Sequence, residues 1–237
     1  MNIELNRLKQ AMTAQLHRND IAANNLANTK TTGYKRDVVF MDVLEEKSYN
    51  SIKVSLHSDL KQGTMEETAN PLDLAISGQG LFVLDMDGEN VYTRDGHFTL
   101  NQDGLLVSNN GYHVMGQNGP INLTANGLVT GAISIAQDGQ MFLDEVPVDV
   151  IKIVNISNPE TLVKTTDNAF KISSDTLLEN NNNPTIHQGN LEGSNVDPVS
   201  EMINLIELQR QFESIQRTIR TLDDALGNAA NKVGSYR

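Results

Sequence analysis

Residues 197–233 read DPVSEMINLIELQRQFESIQRTIRTLDDALGNAANKV. Within them Leu205, Leu208, Phe212, Ile215, Ile219, Leu222, Leu226, Ala229 and Val233 recur at strictly alternating three- and four-residue steps. A period of 3.5 sustained this long is that of a helix packed along another helix, because an isolated core-capping helix drifts to 3.6 and shows a wider apolar stripe. Asp197-Pro198 opens the helix well: Asp caps free amides, and Pro in the first turn gives up only an amide that has no partner. Over residues 198–233 the helix would be roughly 54 Å long at 1.5 Å per residue. It needs a partner of its own kind.

The other end of the chain supplies one. Leu5, Leu8, Met12, Leu16, Ala23 and Leu26 follow one another at helical spacing, interrupted at Asn19. Asn24, Asn25 and the run from Asn28 to Gly33 provide the stop, since Asn and Gly tolerate the left-handed backbone that ends helices. The two termini, some 200 residues apart, are therefore expected to lie together as a coiled coil. The candidate assembly surface is Leu5, Leu8, Met12 and Leu16 opposite Leu205, Leu208, Phe212, Ile215, Ile219, Leu222 and Leu226. Asn24, Asn25 and Asn28 would add side-chain hydrogen bonds to backbone where the first helix ends.

Between residues 72 and 175 the pattern changes to short apolar runs punctuated by Gly. Leu72, Leu74 and Ile76 alternate, Leu81 to Leu84 is continuous, and Val148, Val150 and Ile153 nearly keep a period of two. Asp87-Gly88, Asp95-Gly96, Asp103-Gly104 and Asp138-Gly139 are hairpin-turn dipeptides. The first three stand eight residues apart, which reads as a meander of antiparallel strands. The fold class is thus mixed and mainly β: an all-β central body carrying long N- and C-terminal helices. Residues 1–36 and 197–237 form the helical part, 37–70 an extended connector and 71–196 the β-rich body.

Composition narrows the functions available. The chain of 237 residues holds no Cys and no Trp, which removes disulfide frameworks, thiolate metal sites and cysteine nucleophiles together. The formal net charge of −12 opposes general nucleic-acid binding, which rests on neutralising phosphates. The balance is uneven: +4 over residues 1–36, −15 over 37–196 and −1 over 197–237. The acidic middle reads as a solvated face. The opening residues lack the basic and apolar regions of a cleaved secretory signal, and no apolar run is long enough to insert directly into a membrane.

Chemistry finds little support. His17, His57, His97, His113 and His187 never fall into an H-x-H or H-E-x-x-H arrangement. Asp85 to Glu89 starts like a calcium loop, but the sixth and twelfth positions are Asn90 and Gly96 where that loop needs Gly and Glu. Ser77-Gly78-Gln79-Gly80 lacks the Lys-Ser/Thr of a phosphate loop. No catalytic residue, cofactor or metal is expected, and the chain is read as a non-enzyme.

Four segments resemble the flagellar rod and hook family. They are Ala23-Asn24-Asn25-Leu26-Ala27-Asn28 with Thr32-Gly33-Tyr34-Lys35-Arg36, where Tyr34 stands for the more usual Phe; Asn70 to Ile76 running into Gly80-Leu81-Phe82; Tyr92 to Phe98; and Leu191 to Asp197 with Gln209-Arg210-Gln211-Phe212-Glu213. Four such matches in order are far more specific than one. The resemblance implies a structural subunit of the basal-body rod, exported by the flagellar type III apparatus without a cleaved signal peptide. It would polymerise helically with itself and other rod and hook-family subunits into the periplasmic drive shaft. The short β body resembles the rod proteins rather than the hook, the proximal-rod type first and the distal-rod type second.

Two other classes compete. A coiled-coil adaptor or adhesin with a β head would form a closed oligomer. A β-fold carbohydrate enzyme would place paired acids in a cleft, with Asp73, Asp85, Asp95 and Asp103 as the candidates.

Overall fold

The computed structural model describes residues 2–45, 50–124, 131–165, 167–172, 178–181 and 184–234. The chain forms two compact units: Met1–Ala27 with Asp37–Leu56 and Asp197–Arg237, and Asn28–Arg36 with His57–Val196.

The first unit holds the helices α1 (Asn2–Ala27) and α2 (Pro198–Gly234), which pack against each other. The N-terminus of α2 is capped as its sequence asks. Asp197 Oδ1 accepts from Val199 N at 3.1 Å and Oδ2 from Ser200 Oγ at 2.5 Å, and the bond from Ser200 holds the Asp197 carboxyl below the usual carboxylate range. The same unit contains a pair of strands, Asp37–Glu45 and Asn50–Ser58. These fall within the stretch read from sequence as an extended connector. Ile52, Val54 and Leu56 keep the period of two of a strand with two unlike faces, whereas Val38 to Met41 is a continuous apolar run between Asp37 and Asp42. Phe40 and Leu56 remain exposed.

Among the described residues, the second unit is β in its regular structure apart from a short 3₁₀ turn, Pro159–Thr161. Its main sheet is built around Leu81–Met86, which pairs antiparallel with Glu89–Thr93 through the Asp87-Gly88 turn. Both turn residues take positive φ, 53° and 88°, as a type I′ hairpin requires. Phe98–Leu100 and Leu106–Ser108 form a second hairpin at Asp103-Gly104, and Ile133–Ile135 and Gln140–Leu143 a third at Asp138-Gly139. Asp95-Gly96 is different. Glu89–Thr93 and Phe98–Leu100 lie at separate positions in the sheet, so this dipeptide is a bend and no hairpin. A Cβ on Gly96 would stand 1.7 Å from the Leu74 carbonyl oxygen, so its Gly serves a close backbone approach.

Apolar residues fill both faces of the sheet. Leu74, Ile76, Phe82, Leu84, Phe98, Ile121 and Met141 belong to the larger cluster, and Leu81, Val83, Tyr92, Val154 and Phe170 to the smaller. Phe82 and Phe98 meet edge to face with centroids 5.2 Å apart. Late segments return to early ones: Thr185–Gln188 pairs with Leu74–Ser77, and Asn190–Glu192 with Met65–Glu67.

Candidate assembly interface

In the helical unit the contact turns on Leu208, which is 2% exposed. On α1, Ala14, Gln15 and Ala22 are buried. Gln15 Nε2 donates to the Leu208 carbonyl at 3.2 Å and to Gln211 Oε1 at 2.9 Å. The Gln15 amide finds partners across the contact, so a polar residue costs little there. Sequence reading missed Gln15, since apolar periodicity assigns no weight to a buried amide.

The other expected interface residues fall into several groups. Leu205, Phe212, Ile215 and Ile219 are half-buried, as is Met12, whereas Leu16 and Leu222 are exposed. The side chains of Leu5, Leu8 and Leu226 lie outside the described residues. Asn25 is buried, and its side chain does more than stop a helix. Its Nδ2 donates to the Asp37 carbonyl at 2.9 Å and its Oδ1 accepts from Asp37 N at 2.9 Å, tying α1 to the first strand of its unit. Asn24 is exposed, and Asn28 Oδ1 accepts from Thr31 Oγ1 at 3.0 Å.

One apolar face lay outside the expected seam. Val199, Met202, Ile203 and Ile206, at i, i+3, i+4 and i+7, are 62%, 50%, 54% and 51% exposed. They form one continuous stripe on the first two turns of α2.

In the β unit, segments far apart in sequence meet around three buried charges. Lys35 Nζ lies 2.6 Å from Glu192 Oε1. Arg94 Nε lies 3.3 Å from Glu192 Oε2, an ion pair without hydrogen-bond alignment. Lys35 also donates to the Lys61 carbonyl at 2.6 Å, and the Arg94 guanidinium to the carbonyls of Ile76 and Gly78. Burial pushes both cations below their ordinary pKa while Glu192 pulls them back up. Beside them Gly33 takes φ 65°, with its Cβ position 2.2 Å from Asp95 N, so only Gly fits. Tyr34 is buried with Lys164 Nζ 3.5 Å above its ring. Asn195 Oδ1 accepts from Arg36 N at 2.8 Å.

The candidate acids of an enzyme are partly brought together. Asp73 Oδ1 lies 2.7 Å from His97 Nδ1, and His97 N donates to Asp95 Oδ1 at 3.1 Å. Both carboxylates are engaged by the protein: Asp73 also accepts from Thr68 and Asn70, and Asp95 from Thr32. Asp85 instead accepts from Gly88 N in its own hairpin turn.

Burial pushes the Asp95 carboxyl above its ordinary pKa, against the bonds from His97 and Thr32 that pull it down. A carboxyl with a raised folded-state pKa contributes stability below its unfolded pKa and loses it as pH rises through the folded value. Asp95→Asn keeps the acceptor oxygen and removes the charge. The variant is expected to be at least as stable as wild type at neutral pH, and to show less loss of stability on going upward from about pH 4. Thermal melts of both proteins across that range check this, and a variant that melts lower at neutral pH would show that the charge itself is needed.

Three family models match the chain in order. "Flagella basal body rod protein" covers residues 5–35, "Flagellar hook protein FlgE/F/G D1 domain" residues 75–143, and "Flagellar basal body rod FlgEFG protein C-terminal" residues 187–232. The flagellar basal-body rod protein FlgF of Caulobacter vibrioides is 32% identical over 225 residues, covering 91% of each chain. The chain belongs to the flagellar basal-body rod family. FlgG of Agrobacterium fabrum is 33% identical over 251 residues, with 90% of this chain and 92% of the relative covered. FlgG of Buchnera aphidicola from Schizaphis graminum is 29% identical over 251 residues, with 92% and 95% covered.

As a rod-family protein of FlgF/FlgG type, the chain is a structural component of the bacterial flagellar basal body, and it assembles with other rod-family subunits. Each of the three matched segments of this rod protein gives one member of the buried charge cluster: Lys35, Arg94 and Glu192. The mainly β body flanked by two terminal helices agrees with the expected fold class.

Proposed function

We propose that the chain is the FlgF-type subunit of the proximal rod, built into a helical tube in the periplasm through its two terminal helices. Its role is structural and not catalytic. Alignment lengths support FlgF over FlgG. The FlgG alignments run over 247 to 257 residues, longer than the 237 of this chain, so those relatives carry insertions that it lacks. The FlgF alignments are shorter, at 225, 235 and 239 residues, and so need fewer insertions.

The observation that carries helical assembly is the open stripe of Val199, Met202, Ile203 and Ile206. Its length on one helix suits a repeated, non-closing contact with a neighbouring subunit. Helix lengths point the same way. From the Gln15–Gln211 contact, α2 continues to Gly234, roughly 35 Å, whereas α1 reaches roughly 20 Å at most in either direction. The end of α2 thus outruns α1, and neighbouring subunits would extend the pairing into the coiled-coil layer expected from the heptad period. Met12, Leu16, Phe212, Ile215, Ile219 and Leu222, with Leu5, Leu8 and Leu226, belong to that layer in this reading. Asn24, Asn25 and Asn28 close it at the end of the first helix. The helical unit, residues 1–27, 37–56 and 197–237, would then act as the assembly domain, and residues 28–36 with 57–196 as the β body.

Export by the flagellar type III apparatus belongs to this reading through membership of the rod family, and the acidic body disfavours nucleic acid. Deleting the gene and purifying basal bodies tests the placement. The expected result is loss of the whole distal rod and hook, because a proximal segment must form first. Basal bodies that retain a distal rod would exclude the proximal assignment.

A further inference from the structure

We infer that Glu192 is a latch that makes folding of the β body conditional on the last segment of that body, residues 185–196. The argument starts from charge. Lys35 and Arg94 come from segments made early, their side chains are almost wholly buried, and the carboxylate that faces both belongs to Glu192. Until that carboxylate arrives, two cations would have to be buried against carbonyl oxygens alone, which is far more costly than leaving them in water. The early part of the body is thereby held open.

The geometry of arrival is equally specific. Glu192 ends the strand Asn190–Glu192, whose register sets Glu192 opposite Met65. Its Oε1 accepts from Gly63 N at 2.8 Å as well as from Lys35, and its own carbonyl accepts from Gly33 N at 2.7 Å. One residue therefore closes on the segments around Gly33, Gly63 and Arg94 in a single step. The neighbouring positions act with it. Thr185–Gln188 supplies the second strand to Leu74–Ser77, and Asn195 Nδ2 donates to the Asp59 and Lys61 carbonyls at 2.7 and 3.0 Å. The Lys61 carbonyl also receives Lys35. A chain lacking this segment would miss two strand pairings and the counter-charge together. This device keeps an incompletely delivered chain from locking its body prematurely, whatever the final assembly is.

The full-length variants Glu192→Gln and Lys35→Met/Glu192→Gln test this. Glutamine keeps the size and one acceptor oxygen but leaves both cations uncompensated, and the second change removes one of them. In limited proteolysis of purified protein, Glu192→Gln is expected to raise the cleavage rate within residues 57–100 at least tenfold and to slow refolding by a similar factor. The double variant is expected to recover most of both losses. Two results would overturn the latch: a Glu192→Gln protein that refolds and resists protease like wild type, or a double variant no better than the single, which would mean that packing and not charge is lost. Loss of rod incorporation with normal refolding would count against the latch and leave the rod assignment standing.

Discussion

Gly96→Ala is expected to unfold the β body at ordinary temperature. The added methyl carbon would stand 1.7 Å from the Leu74 carbonyl oxygen and 2.8 Å from its carbonyl carbon, and both are backbone atoms that cannot swing aside. The Leu74 amide donates to the Gly96 carbonyl at 3.0 Å, so separating the strands breaks that bond. It also disturbs Leu74, Phe82 and Phe98, all fully buried in the larger core cluster. Overpacking a core commonly costs about 1–3 kcal/mol. A clash against fixed backbone, with loss of a buried hydrogen bond, belongs above that range, at about 5 kcal/mol, which is comparable with the whole stability of many domains. Urea denaturation of wild type and variant measures this. A midpoint shifted by less than the equivalent of about 1 kcal/mol would show that the close approach is soft. Gly88→Ala offers a contrast: its Cβ position has nothing within 4 Å, so only its φ of 88° opposes the change, and about 1 kcal/mol is expected.

Leu208→Asp is expected to abolish incorporation into rods and leave the β body folded. Leu208 is the most buried apolar side chain of α2 among the described residues. Replacing it removes apolar burial worth about 2–5 kcal/mol and puts a carboxylate among apolar groups, at a further cost of several kcal/mol. The loss falls on the helical unit, so the melting transition of the body should not move. Ile206→Asp gives the complementary result. That position is half-exposed in the single chain, so the isolated protein should keep its helical content and still fail to enter rods, because the open stripe is lost to the neighbour. Circular dichroism of the purified proteins and immunodetection in basal bodies separate the two. Normal incorporation of Leu208→Asp would remove the helical unit from the assembly mechanism. Normal incorporation of Ile206→Asp would remove the stripe.

These two positions also mark how far the sequence can be read. The heptad from Leu205 to Val233 and the apolar spacing from Leu5 to Leu26 announced two long helices, because a helical face repeats at a fixed interval wherever it stands. Asp197-Pro198 announced where α2 begins, and Asp87-Gly88, Asp103-Gly104 and Asp138-Gly139 announced hairpins, because capping and turn preferences are local. Asp95-Gly96 carries the same two letters and makes no hairpin; the close pass of Leu74 that requires its Gly comes from a strand some 20 residues earlier.

What the sequence alone determined is therefore everything set by neighbours along the chain: two terminal helices, a Gly-punctuated β body, an acidic middle, and motifs specific enough to point to one family. Only the tertiary structure decided which residues share a site. Lys35, Arg94 and Glu192 carry no periodicity, since each is one charge in an unrelated segment. Gln15 is likewise polar on a helix whose other signals are apolar. The reason is physical. A buried polar contact is stabilised by the one partner that satisfies it, and the position of that partner is fixed by how the whole chain closes, not by the spacing of residues along it.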